Sequence, residues 1–102
     1  MNSLVYIAAS RIHGKGLFAA RPLQSGQLIG VYDGPVVEED GAHVLWIEND
    51  QGGWTGHDGK NEMRYMNHAD KPTAEMDGLH CYALVDMEAN TEITIDYGWN
   101  DS

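Results

Sequence analysis

The chain has 102 residues, with 16 Asp and Glu against 6 Lys and Arg, so its formal charge is −10 at neutral pH with histidine uncharged. A charge of that sign repels nucleic-acid phosphates and anionic membranes, no local cluster of Lys or Arg reverses it, and basic partners remain. Apolar residues make up 42% of the chain, too many for a disordered segment, and no apolar run approaches the roughly 20 residues of a bilayer crossing.

In chain order, the short apolar stretches Leu4–Ala8, Leu28–Tyr32, Val44–Ile47, Tyr82–Val85 and Ile93–Tyr97 predict strands, separated by segments rich in Gly, Asn and Asp. Only Asn61–Asn67 suggests a turn or two of helix. Gly26, Gly34 and Asn90 predict turns, because Gly and Asn tolerate the left-handed conformation. The pattern Leu23–Gly34 resembles Met87–Gly98: an apolar residue, a polar turn, a β-branched strand, then Tyr and Gly. A likeness this short also arises by chance in β proteins. The expectation is one mainly β domain over residues 1–102, which buries roughly 65% of the surface its unfolded form exposes.

Cys81 is the only cysteine, which excludes an internal disulfide and a thiolate-rich zinc site. Between His80 and Tyr82 it reads as a small strand residue rather than a nucleophile. The N-terminal residues lack the basic flank and long apolar stretch of a secretory signal, so an intracellular location, cytoplasmic or nuclear, is expected. The histidines His13, His43, His57, His68 and His80 have no zinc-motif spacing, and no metal site is expected.

Four segments carry groups suited to chemistry. In His13-Gly14-Lys15-Gly16-Leu17-Phe18, two glycines one residue apart let a ligand approach the backbone, or else form a hairpin turn; the third Gly of a dinucleotide fingerprint and the ending of a P-loop are missing. Tyr32 precedes Asp33-Gly34 near a strand end. In Arg64-Tyr65-Met66-Asn67-His68-Ala69 an Asn beside a His fits either a ligand site or a structural pair at the end of a short helix. Along Glu92-Ile93-Thr94-Ile95-Asp96-Tyr97-Gly98, alternation sets Ile93, Ile95 and Tyr97 on one face and Glu92, Thr94 and Asp96 on the other. Tyr97 is then either a core tyrosine bonded to a backbone carbonyl or a catalytic group.

Taken together and in order, these four segments closely resemble the SET domain of protein lysine methyltransferases, over about residues 5 to 99. The resemblance implies a β-clip type fold of several small sheets with a threaded C-terminal segment and little helix. It further implies S-adenosylmethionine-dependent methylation of a lysine ε-amine, with a basic histone-like or ribosomal protein as substrate. By motif, His13, Gly14, Lys15 and Gly16 meet the cofactor largely through backbone. Asn67 holds its adenosyl part by side chain, and His68 by main chain and ring. Tyr97 corresponds to the catalytic tyrosine, Tyr32 to an active-site tyrosine near the amine, and Trp99 to an aromatic wall of the lysine channel.

Departures from the family pattern also bear on function. Ala69-Asp70-Lys71-Pro72-Thr73 follows the Asn-His pair, where family members commonly have Ser-Cys-x-Pro-Asn, and no cysteine-rich zinc segment follows Gly98. Closure of the site then falls in part to Trp99 and for the rest to a second copy of the chain, which makes a homodimer feasible; weak cofactor binding is the alternative. The acidic residues Glu38, Glu39 and Asp40, with Glu48, Asp50, Asp58, Glu75 and Asp77, either draw a Lys/Arg-rich peptide by long-range attraction or form a solvated surface. A noncatalytic SET-like module that binds basic peptides is the alternative function.

Overall fold

The computed structural model describes residues 3–41, 44–48 and 50–96; Tyr97, Gly98, Trp99 and His43 lie outside these. Among the described residues there are ten short strands and one 3-10 turn. The strands are β1 Val5–Ala9, β2 Lys15–Ala19, β3 Leu28–Val31, β4 Val36–Val37, β5 Val44–Glu48, β6 Trp54–Asp58, β7 Asn67–His68, β8 Ala74–Asp77, β9 His80–Ala83 and β10 Glu92–Ile95, with the 3-10 helix at Glu62–Tyr65. They form three small sheets of order β1-β2-β10-β7, β3-β9-β8 and β4-β6-β5. The protein is mainly β, as its composition of short β-branched and aromatic runs predicts.

The predicted strands match β1, β3, β5, β9 and β10, and the helical turn is the 3-10 helix. β9 ends earlier than its apolar pattern suggests, because Leu84 and Val85 are exposed in a bend. The remaining strands have weak patterns of their own. β6 is polar, with Gly56 at its centre, and a Cβ there would stand 3.0 Å from the ring of Trp46 and from Val37 O, so glycine admits the indole of its hairpin partner. β8, Ala-Glu-Met-Asp, is a strand because β9 pairs with it.

The likeness of Leu23–Gly34 to Met87–Gly98 has a structural counterpart. Leu23 and Met87 form an isolated antiparallel bridge, each N–H donating to the other's carbonyl at 2.9 and 2.8 Å. Gly26 N–H donates to Ala83 O at 2.7 Å, and Asn90 N–H to Ala19 O at 2.7 Å. In return, Ala83 N–H donates to Gln27 O and Ala19 N–H to Thr91 O, both at 2.9 Å. Each hairpin thus accepts the turn that follows the other: β2 pairs with β10, and β9 with β3. The left-handed residues stand in matching positions, Gly26 at φ 86° and Asn90 at φ 72°. The exchange satisfies the backbone groups of both turns without helix or long sheet.

Leu17, Leu23, Ile29, Met63, Cys81 and Ile93 are fully buried where these elements meet, joined by Val5, Tyr32, Met66, Met87 and Ile95. On β10, Ile93 and Ile95 take the expected core face, but Thr94 is buried as well. Thr73 covers it: Thr73 N–H donates to Thr94 Oγ1 at 3.2 Å, Thr94 N–H to Thr73 Oγ1 at 3.0 Å, and Thr73 Oγ1 to Glu92 O at 2.9 Å. β10 is therefore a central strand enclosed on both faces.

Gly34 is present for space rather than for a left-handed turn: its φ is not in that region, and a Cβ would collide with the Asp58 carbonyl. Gly26 has open space around its Cβ position but a positive φ. Gly34→Ala should therefore lower unfolding free energy by about 2 kcal/mol or more, and Gly26→Ala by about 1 kcal/mol. Urea unfolding that ranks them in the opposite order would contradict this packing.

Burial pushes the Cys81 thiol from its ordinary 9.0 up to about 12, and its Sγ faces Met66 Sδ at 3.6 Å. A thiol kept neutral there is a poor nucleophile, in line with a structural strand residue. Above pH 9 the unfolded chain loses this proton while the native state keeps it. The stability that depends on it, full below that pH, therefore falls as pH rises toward 12. The unfolding free energy of Cys81→Ala should decline less between about pH 9 and 11 than that of the parent chain. In the same experiment, iodoacetamide should label Cys81 only in urea.

Candidate functional site

The β1–β2 connection is a tight loop. Ser10 N–H donates to Gly14 O at 2.8 Å and closes it, while Gly14 adopts φ 44° with nothing within 4 Å of its Cβ position. Here glycine serves the backbone conformation and leaves open space above it. His13, Gly14 and Lys15 are exposed. Gly16 is buried for a different reason: its Cβ would stand 2.6 Å from Glu92 Oε2 and 3.0 Å from Ser10 Cβ. Absence of a side chain at Gly16 is what lets the Glu92 carboxylate lie against β2.

β10 carries that carboxylate between β2 and β7. It runs antiparallel to β2, with Ile93 opposite Leu17, and parallel to β7, with Thr94 opposite Asn67 and Ile95 opposite His68. Ala69 N–H extends the second pairing to Ile95 O at 3.1 Å. The sheet therefore sets Asn67 beneath the glycine loop, at 9% exposure. Its Nδ2 donates to His13 O at 3.2 Å, Lys15 O at 3.3 Å, Ser10 Oγ at 3.1 Å and Glu92 Oε2 at 2.9 Å. Ser10 Oγ donates to both Glu92 oxygens, at 2.9 and 2.8 Å, and accepts from Ile12 N–H at 2.9 Å. A buried amide needs such partners, and a carboxylate acceptor strengthens the set. Every side-chain hydrogen bond of Asn67 uses Nδ2, so Oδ1 keeps its acceptor capacity among the described residues.

His68 is half-buried between two carboxylates, with Nε2 3.3 Å from Asp70 Oδ1 and Nδ1 3.7 Å from Asp96 Oδ1. Asp70 stands where the sequence departs from the SET pattern it resembles, and with Asp96 it places two carboxylates beside the ring. Tyr32 is held by a different segment. Its N–H donates to Leu79 O at 2.7 Å, and its ring and hydroxyl lie against Gly59, where a Cβ would overlap them. The neighbouring backbone is fixed by Asn61, whose Nδ2 donates to Val31 O at 2.8 Å and whose Oδ1 accepts from Asp33 N–H at 3.3 Å. Tyr32 belongs to the same buried core as Leu17, Met66 and Ile95. Tyr97 and Trp99 lie outside the described residues.

The glycine loop and the Asn-His pair thus meet directly, although more than fifty residues separate them in sequence. Sequence reasoning assigned no site role to Ser10 or Glu92. The available signal was Gly16: a glycine inside a strand marks close approach of another group, and Glu92 is the charged residue of the strand that pairs there.

A separate cleft of about 660 Å³ opens beside the β4-β6-β5 sheet, lined by Val37, Glu38, Glu39, Asp40, Gly41, Val44, Asp58, Lys60 and Arg64. Asp40 accepts from Trp46 Nε1 at 3.1 Å, and Lys60 pairs with Asp58 at 3.0 Å. The acid-rich stretch of the sequence therefore forms one wall of a concave surface. Among the described residues no group of His, Cys, Asp and Glu is arranged to hold a metal ion.

The SET domain family model matches residues 14–98. Among solved structures, a proposed histone methyltransferase of Plasmodium falciparum superposes with a TM-score of 0.73 at 18% identity, covering 94% of this chain and 98% of that one. The methyltransferase domain of human PR domain-containing protein 2 superposes with a TM-score of 0.78 at 17% identity, covering 100% of this chain and 82% of that one. At these identities the superpositions bear on the fold alone, which they share over nearly the full chain. Membership follows from the family match, which runs from the glycine loop through Asn67 and His68 to the end of the β10 motif: this chain belongs to the SET-domain family.

Proposed function

We propose that this protein is an S-adenosylmethionine-dependent protein lysine N-methyltransferase that acts on a basic protein. Family membership supports methyl transfer in general. The observation that carries the finer reading is the Asn67 amide, which hydrogen-bonds at once to the carbonyls of His13 and Lys15. The two segments assigned to one cofactor by motif are thereby a single surface.

The residues at that surface suit the cofactor. His13, Gly14 and Lys15 are exposed, Gly14 has open space above it, and Asn67 Oδ1 is available to accept from a ligand N–H or O–H. His68 adds its main chain and ring. When bound, S-adenosylmethionine supplies an electrophilic methyl group on a sulfonium. The protein's part is alignment and exclusion of water, since displacement at carbon needs the attacking and leaving atoms in line. In this reading the Tyr97 phenol oxygen orients the methyl through weak C–H···O contacts, while Tyr32 and Trp99 wall the channel of the lysine stem. A lysine ammonium of ordinary pKa near 10.4 must lose a proton before attack, and burial beside a cation favours that loss, so water can accept it without a dedicated base.

The acid-lined cleft supports a Lys/Arg-rich substrate, such as a histone-like or ribosomal protein, because a surface of negative sign attracts it over long range. The same cleft favours the second reading, a noncatalytic module that binds basic peptides. The two differ in cofactor dependence. Incubation with labelled S-adenosylmethionine and a panel of histone-like and ribosomal proteins should transfer label to lysine, located by mass spectrometry. Salt-sensitive peptide binding with no transfer and no cofactor binding by calorimetry would decide for the module.

Two variants locate the chemistry. Tyr97→Phe should reduce turnover by about 100-fold or more with cofactor affinity mostly kept, because its oxygen is assigned to the transition state. Asn67→Ala should weaken cofactor binding by about tenfold or more, as expected for loss of an acceptor and of the loop's support. Unchanged turnover in the first, or unchanged affinity in the second, would remove that residue from its role.

A further inference from the structure

The Asn67 amide can turn either end toward a ligand, and the chain spends two other side chains on its orientation. Ser10 Oγ and Glu92 Oε2 both contact Nδ2, and Ser10 and Glu92 are bonded to each other through both carboxylate oxygens. The Glu92 carboxylate oxygens accept from Asn67 Nδ2 and from Ser10 Oγ, so Glu92 holds the N–H end of the amide. The carbonyls of His13 and Lys15 lie on that same side. With four acceptors around Nδ2, the reversed amide would set its oxygen against them, and Oδ1 is left as the atom offered to a ligand. Ser10 also accepts from Ile12 N–H, so the same hydroxyl fixes the loop that bears His13. Gly16 supplies the room in which the carboxylate sits.

We propose that Ser10 and Glu92 are positioning residues for cofactor binding, which act through Asn67: they lock its amide with Nδ2 turned to the glycine loop and Oδ1 presented as an acceptor. This role rests on the methyltransferase reading and adds two residues to it. Neither needs to touch the cofactor. The loop and the amide reach binding geometry before a ligand arrives, so less ordering is left for the binding step.

Calorimetry with S-adenosylmethionine on the parent chain, Glu92→Leu, Glu92→Gln and Ser10→Ala tests this. Glu92→Leu removes the acceptor with similar bulk and should raise the cofactor Kd about tenfold, and Ser10→Ala by a smaller factor. Glu92→Gln keeps one acceptor oxygen and should stay within about threefold of the parent. In turnover assays the loss in Glu92→Leu should fall on KM for the cofactor more than on kcat. Amide NMR without any cofactor gives an independent measure: the side-chain NH2 of Asn67 should show slow hydrogen exchange in the parent and in Glu92→Gln, and fast exchange in Glu92→Leu.

A merely structural role would lower the melting temperature while leaving affinity and Asn67 exchange, both measured well below it, unchanged. That result in Glu92→Leu, or in Ser10→Ala if the leucine variant does not fold, overturns the proposal. A parent chain that fails to bind S-adenosylmethionine overturns the cofactor reading and this role with it. Binding by the parent with equal binding by both Glu92→Leu and Ser10→Ala overturns the positioning role alone.

Discussion

The double pairing of β10 is the constraint from which the site follows. β2 hydrogen-bonds one edge in the antiparallel sense and β7 the other in the parallel sense, so residues near positions 15, 67 and 92 must be neighbours. Parallel pairing needs a long connection, and here the β8–β9 hairpin occupies it instead of a helix. With both faces covered as well, β10 has little freedom to shift. A register slip by one residue would turn Ile93 and Ile95 out of the core and remove Glu92 from Gly16. Core packing and site geometry are thus fixed by the same register.

Buried and half-buried polar groups are distributed by the same logic. Thr73 and Thr94 satisfy each other on one face of β10, and Ser10, Asn67 and Glu92 do so around the glycine loop. Both clusters sit where a short sheet leaves backbone groups for side chains to bond. Two glycines of one motif then have unlike tasks, Gly14 shaping the turn and Gly16 making room for a carboxylate. The closeness of Gly16 to Glu92 means that its backbone is backed by negative charge rather than by an apolar side chain.

Much of the fold was legible because the apolar runs of β1, β3, β5, β9 and β10 are self-sufficient signals, and Gly26 and Asn90 mark their turns. β6 and β8 were not, since their polar residues become strands only through partners across a hairpin. Gly34 was read as a turn residue, but the reason for glycine there is the Asp58 carbonyl, a contact no local pattern contains. At the site, Asn67 bonds the carbonyls of His13 and Lys15, a contact between segments far apart in the chain that no local pattern contains. Ser10 and Glu92 escaped because a lone serine and a strand glutamate carry no spacing signature, and their roles arise from convergence in three dimensions. The faint likeness between the Leu23 and Met87 segments proved informative because matching sequence positions make reciprocal bonds across the molecule.

That reciprocity also dictates an order of events when the chain is made. β2 and β3 leave the ribosome with their future neighbours, β10 and β9, still unsynthesised, so the early part of the chain has open edges and no competent core until Ile95 has emerged. Such non-local closure belongs among slow-folding topologies. A nick in the exposed Asp70-Lys71 bend would separate the two members of each pair, and neither piece would hold its shape alone, yet mixing the pieces would restore complementary edges. The molecule is in this sense one interlocked object, with assembly written into a single polypeptide.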